Sequence, residues 1–473
     1  MHQRNMPLYN RLITHISNKP ISFHVPGHKN GELLEEENPF KEFAQFDVTE
    51  LTGLDDLHDS QGAIKDAQHL LTELYNSRKS YFLVNGSTVG NLAMILATCH
   101  EDDTVLVQRN CHKSILNGLM LAKVNPIFFS PEMNKSLSIP AGPNPELIRH
   151  AIGEYPHAKV LILTYPDYYG QAYHIKEIID IAHEHNMIVL VDEAHGAHFQ
   201  LGDPFPASSL ELGADIVVHS AHKTLPAMTM GSFLHINSEK ISEQKVEFYL
   251  NVLQSSSPSY PIMASLDYAR YYLSNFTKED IAFFIQERHL FIKQLQEGSG
   301  LAVITTDDPL KLIVRHESLT GFELQSQFEK AGIFSELADL YQVLLILPLV
   351  KQDTRFPFSE AIERIRLLSL ESRKTSDEIN IFTEIKNPVD LMELSYTYKE
   401  MLNMPYEWVY INHSVGRIAA KMIIPYPPGI PLLLPGEKVT EEHLQHLQAL
   451  IQGGARFQGE TEKMAVFIDV HET

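Results

Sequence analysis

The chain has 473 residues, enough for two domains with sizeable cores, and the composition of an ordinary globular protein, 44% hydrophobic and 21% charged. Its 38 basic against 60 acidic residues leave a net charge of -22, which argues against nucleic acid or an anionic membrane as partner. Two cysteines, Cys99 and Cys111, offer neither a disulfide framework nor metal-type spacing, and no apolar run is long enough for a signal core or a span, so a cytoplasmic home is expected.

From about residue 60 helical and extended periods alternate, the mark of an α/β domain. Ala63, Ile64, Ala67, Leu70, Leu71 and Leu74 recur at helical spacing. Extended runs follow at 81–84, 104–107, 126–129, 160–163, 188–191, 216–218 and 232–234. Most are apolar throughout, as strands covered on both faces must be, so a mostly parallel sheet is expected. After about residue 275 long charged helical stretches take over, with strand-like runs at 311–315 and 343–347. The expected division is an N-terminal segment 1–50, a large α/β domain 51–275 and a smaller α+β C-terminal domain 276–473. Residues 370–400 are rich in charge and read either as a surface segment or as an inserted helix. The stretch 424–431 carries four prolines that fix an extended path.

Chemistry-bearing residues gather where these runs end, which is where ligands bind in open α/β sheets. The run 81–84 leads into Gly86-Ser87-Thr88, which opens a helix and can turn backbone N–H groups, hydroxyls and the helix dipole toward a phosphate. The run 104–107 leads to Arg109-Asn110-Cys111-His112, whose flat imidazole can stack on a ring. The run 188–191 leads to Asp192-Glu193-Ala194-His195, and 216–218 leads to His219-Ser220-Ala221-His222-Lys223. Taken singly, each has an ordinary reading: helix caps at Ser87, Thr88 and His112, a strand-end cap at Asp192, a solvated charge at Lys223. Taken together, an amine and a carboxylate after two strands can grip the two ends of one flat, charged cofactor. Pyridoxal 5′-phosphate (PLP) needs a lysine at its aldehyde and an acid at its ring nitrogen. Ser220 can add a phosphate hydroxyl, and His195 and His222 can orient the cofactor or shuttle protons.

In order along the chain, Pro26-Gly27-His28-Lys29, Leu54-Asp55-Asp56-Leu57-His58, Arg109-Asn110-Cys111-His112-Lys113-Ser114, Asp192-Glu193-Ala194-His195, Ser220-Ala221-His222-Lys223 and Pro425-Tyr426-Pro427-Pro428-Gly429 resemble the ornithine/lysine/arginine decarboxylase family. The resemblance spans nearly the whole chain. It implies an aminotransferase-like, fold-type-I large domain with a seven-stranded-type sheet, PLP as cofactor, and decarboxylation of arginine, lysine or ornithine to a polyamine-type amine. By the same resemblance Lys223 is the Schiff-base lysine, Asp192 pairs with the pyridine nitrogen, and His112 stacks on the ring. Gly86, Ser87, Thr88, Ser220 and His222 hold the phosphate, with His195 beside them. The family's catalytic unit is a homodimer, and 254–260 is the candidate segment crossing to the neighbouring site. The chain resembles the short branch without an N-terminal wing.

The substrate's distal cation calls for an acid. Glu336 and Asp339 occupy the region that resembles the family's substrate side, and solvated helix charges are their ordinary alternative. Where the family commonly has threonine, this chain reads Asp167, a further carboxylate for a cationic substrate. Arg417 can meet a carboxylate or form a salt bridge within its own domain. Two rivals remain: another fold-type-I PLP enzyme, an aminotransferase or lyase, and a metal-dependent hydrolase built on His195-x-x-His198 and His219-x-x-His222. The second lacks a complete ligand pattern, so no metal is expected.

Overall fold

The computed structural model describes residues 2–368, 370, 391–425, 429–458, 460 and 462–468. Tyr426, Pro427 and Pro428 of the proline-rich motif and the larger part of the charged stretch 370–400 lie outside the described residues. The chain divides into two compact units, Met1–Thr98 with Ile188–Thr277, and Cys99–Met187 with Lys278–Thr473.

In the first unit four strands lie in the order Lys79–Leu83, Ser232–Ile236, Ile216–His219, Ile188–Asp192. The last two pair in parallel, with Asp192 opposite Val218. Ser232–Ile236 runs antiparallel to both its neighbours, so this part of the sheet is mixed. The helix Gly86–Thr98 packs on these strands. At Gly90 a Cβ would stand 2.7 Å from Leu83 Cδ1 and 2.9 Å from Val218 Cγ1, so only glycine lets the helix lie this close. The helix Ala63–Tyr75 buries Ile64, Ala67, Leu70 and Leu71, and Asp55 starts it: its Oδ2 accepts the N–H groups of Gly62, Ile64 and Lys65 at 2.9, 2.9 and 3.3 Å.

The helix Tyr260–Ser274 carries a fully buried ion pair, Asp267 with Arg270 at 2.9 Å. Both members are committed to the N-terminus. Asp267 Oδ2 accepts from the N–H groups of Leu8 and Tyr9, at the start of the helix Pro7–Ser17, at 3.0 and 3.3 Å. Arg270 donates to the carbonyls of Gln3, at 2.9 Å, and Asn5. Every charge is thereby matched, the condition on which a buried pair is tolerable.

In the second unit the strands Val160–Thr164, Thr104–Gln108 and Asn125–Phe129 pair in parallel in that order, and Leu391–Glu393 closes against Asn125–Phe129 in the antiparallel sense. A second, wholly antiparallel sheet has the order Leu301–Thr305, Lys311–His316, Val343–Ile346, Leu337–Ala338. Toward the C-terminus Tyr406–Tyr410 pairs with Lys463–Phe467, and Ala419, Ile423, Leu433, Val439, Leu444 and Val466 form a separate small core. The extended runs foreseen from the sequence are all strands. Among the described residues no helix is long and apolar enough to cross a membrane.

Candidate active site

The first unit brings together most of the residues singled out at the strand ends. Lys223 lies in a single helical turn, Ala221–Thr224, directly after the strand Ile216–His219, and its Nζ is 3.1 Å from His195 Nε2. His195 is buried and follows the neighbouring strand by three residues. At that strand's end stands Asp192, 3% exposed. Its Oδ2 accepts from Asn91 Nδ2 at 2.9 Å, while its buried Oδ1 has no hydrogen-bond partner among the described residues. A buried carboxylate oxygen left without a donor costs on the order of 1–3 kcal/mol or more, a deficit that an ordered water or a ligand's donor makes good. The protonated ring nitrogen of PLP is such a donor, and the residues here fit that cofactor.

The phosphate candidates also meet. Ser220, fully buried, donates through Oγ to Ser87 Oγ at 2.8 Å. Gly86 adopts φ +79, a left-handed conformation open to glycine, and a Cβ there would meet nothing within 4 Å. Gly86 N itself donates to the Met230 carbonyl at 2.9 Å, and Thr88, in the first turn of Gly86–Thr98, is exposed. His222 Nδ1 donates to the Gly231 carbonyl at 3.0 Å.

The remaining candidates belong to the second unit. His112 is the N-cap of the helix Lys113–Ala122: its Nδ1 accepts from Ser114 N at 3.2 Å, which puts the proton of the neutral ring on Nε2. Arg109, just ahead of it, donates to the carbonyls of Pro431 and Leu432 at 2.9 and 3.2 Å and to Glu437 Oε2 at 2.9 Å, tying the C-terminal loop to the strand end. Asp167 is 4% exposed and accepts from Gln171 N at 2.8 Å and from Gln171 Nε2. Burial pushes its carboxyl up to about 7, against the opposing pull of the Gln171 bonds. Glu336 Oε1 accepts from Tyr168 OH at 3.1 Å. Asp339 takes four donors: the N–H groups of Tyr341 and Gln342 at 2.7 and 3.0 Å, Gln342 Nε2 at 3.0 Å, and the Tyr169 hydroxyl. Arg417 pairs with Glu407 at 2.8 Å and donates to the Phe467 carbonyl.

Sequence reasoning missed Asn91, whose amide fixes one oxygen of Asp192. The signal was present: a lone polar residue among Val89, Gly90, Ala93, Met94 and Ile95, all buried on one helix. It also gave Glu193 no task and His219 only that of a metal ligand, and the two are engaged with each other, 2.9 Å apart. Among the described residues no three His, Cys, Asp or Glu side chains converge as metal ligands would.

Comparison with known proteins gives a consistent picture. Residues 6–311 match the family model described as Orn/Lys/Arg decarboxylase, major domain, and residues 378–465 match its C-terminal domain. The chain is 46% identical over 468 residues to the uncharacterized protein YaaO of Bacillus subtilis (strain 168), covering 96% of each. It is 33% identical over 478 residues to an arginine decarboxylase of the same organism, covering 97% of this chain and 96% of that one. The crystal structure of the Francisella novicida lysine decarboxylase LdcF superposes with a TM-score of 0.80 at 22% identity, over 98% of this chain and 81% of that chain, which shows a common fold.

Proposed function

The chain belongs to the Orn/Lys/Arg decarboxylase family, whose cofactor is PLP, and on that premise we propose that it removes the carboxyl group of a basic amino acid, arginine first, then lysine, then ornithine. The observation that carries the reading is the buried Asp192 Oδ1, which has no hydrogen-bond partner among the described residues, at the end of the strand next to the one that leads to Lys223. When bound, PLP supplies the sink for the electron pair left on the α-carbon as carbon dioxide departs.

In this reading Lys223 is the amine that carries the cofactor, and His195, 3.1 Å from Nζ, exchanges a proton with it. Asp192 holds the ring nitrogen protonated through Oδ1, kept in place by Asn91 on Oδ2. Gly86, Ser87, Thr88, Ser220 and His222 hold the phosphate, and His112 covers a face of the ring. Glu336 is the acid proposed for the distal cation, with Asp167 as a second. Asp339, the third candidate, already has its lone pairs engaged. The proposed division of labour keeps 51–275 as the cofactor-binding domain, with 1–50 and 276–473 completing the chain on either side.

The reading extends to a cytoplasmic homodimer that makes polyamine-type amines. Two cysteines in 473 residues suit a reducing compartment. Ile21, Phe23 and Leu33 are 88%, 96% and 72% exposed in the single chain, apolar side chains that a second copy would cover. The segment 254–260 is tied at both ends, through Gln254 Oε1 to Val84 N at 2.8 Å and through Tyr260 OH to the Asp55 carbonyl, while Ser255, Ser256 and Ser257 between them are exposed. That suits a loop presented to a neighbour.

The test is direct. Purified protein with PLP should show a visible band, and borohydride should fix the cofactor to Lys223, read by peptide mass spectrometry. Carbon dioxide release should follow addition of arginine, lysine or ornithine. Silence with all three, or pyridoxamine phosphate formed with a keto acid acceptor, would defeat the assignment in favour of another PLP reaction.

A further inference from the structure

A line of buried polar groups in the first unit has no part in the site as proposed. Three donors converge on Glu193: Ser208 Oγ at 2.7 Å, Ser209 N at 2.6 Å and His219 Nε2 at 2.9 Å. From His219 the line continues, Nδ1 to His235 Nε2 at 3.1 Å, His235 Nδ1 to Ser80 Oγ at 2.7 Å, and Ser80 Oγ to Ser77 Oγ at 2.7 Å. Glu193, His219, His235 and Ser80 are each 0% exposed. Tyr75 packs its ring on both imidazoles, with centroids 5.2 and 4.4 Å away, and donates its hydroxyl to the Ala197 carbonyl at 2.6 Å.

For neutral rings, hydrogen bookkeeping gives the line a direction. A carboxylate only accepts, so the hydrogen between Glu193 and His219 sits on Nε2. In the neutral ring Nδ1 is then an acceptor, which requires His235 to donate through its own Nε2. His235 Nδ1 in turn accepts from the Ser80 hydroxyl, and Ser80 from Ser77. Burial holds the His235 ring well below its ordinary basicity, and repulsion from His219 adds to this, in keeping with a neutral ring. Bonds aligned head to tail in a low dielectric reinforce one another.

Position says what the line is for. Glu193 directly follows Asp192, and His219 directly precedes Ser220 in the turn that leads to Lys223. The backbone ties the same places, Glu193 N to the Val218 carbonyl at 3.0 Å and Ser220 N to the Ala194 carbonyl at 3.2 Å. We propose that Ser80, His235, His219 and Glu193 form a one-directional relay of positioning residues that clamps together the two strand ends presenting Asp192 and Lys223, so that both reach one cofactor. The clamp rests on the cofactor reading above, whereas the direction of the relay stands without it.

Two measurements on the purified PLP-loaded protein test the idea. With 15N-labelled histidine, and His219→Asn and His235→Asn variants for assignment, nuclear magnetic resonance should find both rings neutral and without hydrogen on Nδ1; an imidazolium at His219 overturns the relay. The PLP dissociation constant should rise about fivefold in Ser80→Ala and more in Glu193→Gln, and the double variant should bind no more weakly than Glu193→Gln alone. An unchanged constant in Ser80→Ala, or effects that simply add, overturns the clamp. Should Glu193→Gln fail to fold, Ser80→Ala and the ring states still decide. A wild-type chain that takes up no PLP would defeat the cofactor reading instead, and the ring states would then test the relay by themselves.

Discussion

Asp192 and Asp339 are two aspartates with opposite surroundings. Asp192 has one donor, Asn91, and a buried oxygen for which no described residue provides another. Asp339 has four, two of them backbone N–H groups of its own turn. The first is a carboxylate set up for something the chain lacks, and the second is one the chain uses to hold itself. The contrast teaches that, of two buried acids, the one at a strand end with an unengaged oxygen is the better candidate for a ligand.

The largest effect expected along this contrast is at Lys223, in the turn after the strand next to that of Asp192. Lys223→Ala should abolish covalent cofactor attachment and lower turnover by about 10³-fold or more, with an unchanged fold by circular dichroism. Full turnover in that variant would remove the mechanism. Asp192→Asn keeps the size of the side chain and discards its charge, so turnover should fall about a hundredfold while the cofactor still attaches to Lys223. If Asp339→Asn produced the same loss, the distinction between the two acids would be lost. Its expected signature is different: the amide sets donor against donor, and denaturant unfolding should show stability reduced by about 1–3 kcal/mol with little change in turnover per folded molecule.

The smallest effect concerns Asp167, which stands between the two cases, buried and bonded to Gln171 yet raised to about 7. Because its pKa in the fold lies above that of the unfolded chain, the folded protein binds more protons in between. Its contribution to stability is complete below the unfolded pKa and is lost as the pH rises through about 7. Between pH 5 and pH 6 the wild type should lose about 1 kcal/mol from this group, and Asp167→Asn should not. Parallel pH dependences for the two proteins would show that Asp167 is ionised in the fold.

The sequence made the strands, the order of motifs and the lysine loop readable because those signals are local: apolar runs, and the residues that end them. The contact of Ser87 with Ser220 was foreseeable only as a convergence of strand ends. Asn91 against Asp192, and His219 against His235, were not, because strand order decides which distant residues meet, and no local pattern encodes it. The antiparallel course of Ser232–Ile236 escaped for the same reason, since a fully buried strand looks alike in either direction. The four engaged donors on Asp339 depend on a tight turn and on Tyr169, which composition does not advertise.

The Asp267–Arg270 pair bears on how the chain is made. The first nine residues leave the ribosome long before the charges that receive them, which are 258 to 267 positions further along. At translation speeds of about 5–20 residues per second the opening helix waits roughly 10–50 s for its dock. During that interval Leu8 and Leu12, both fully sheltered in the finished protein, face solvent and any chaperone able to hold them.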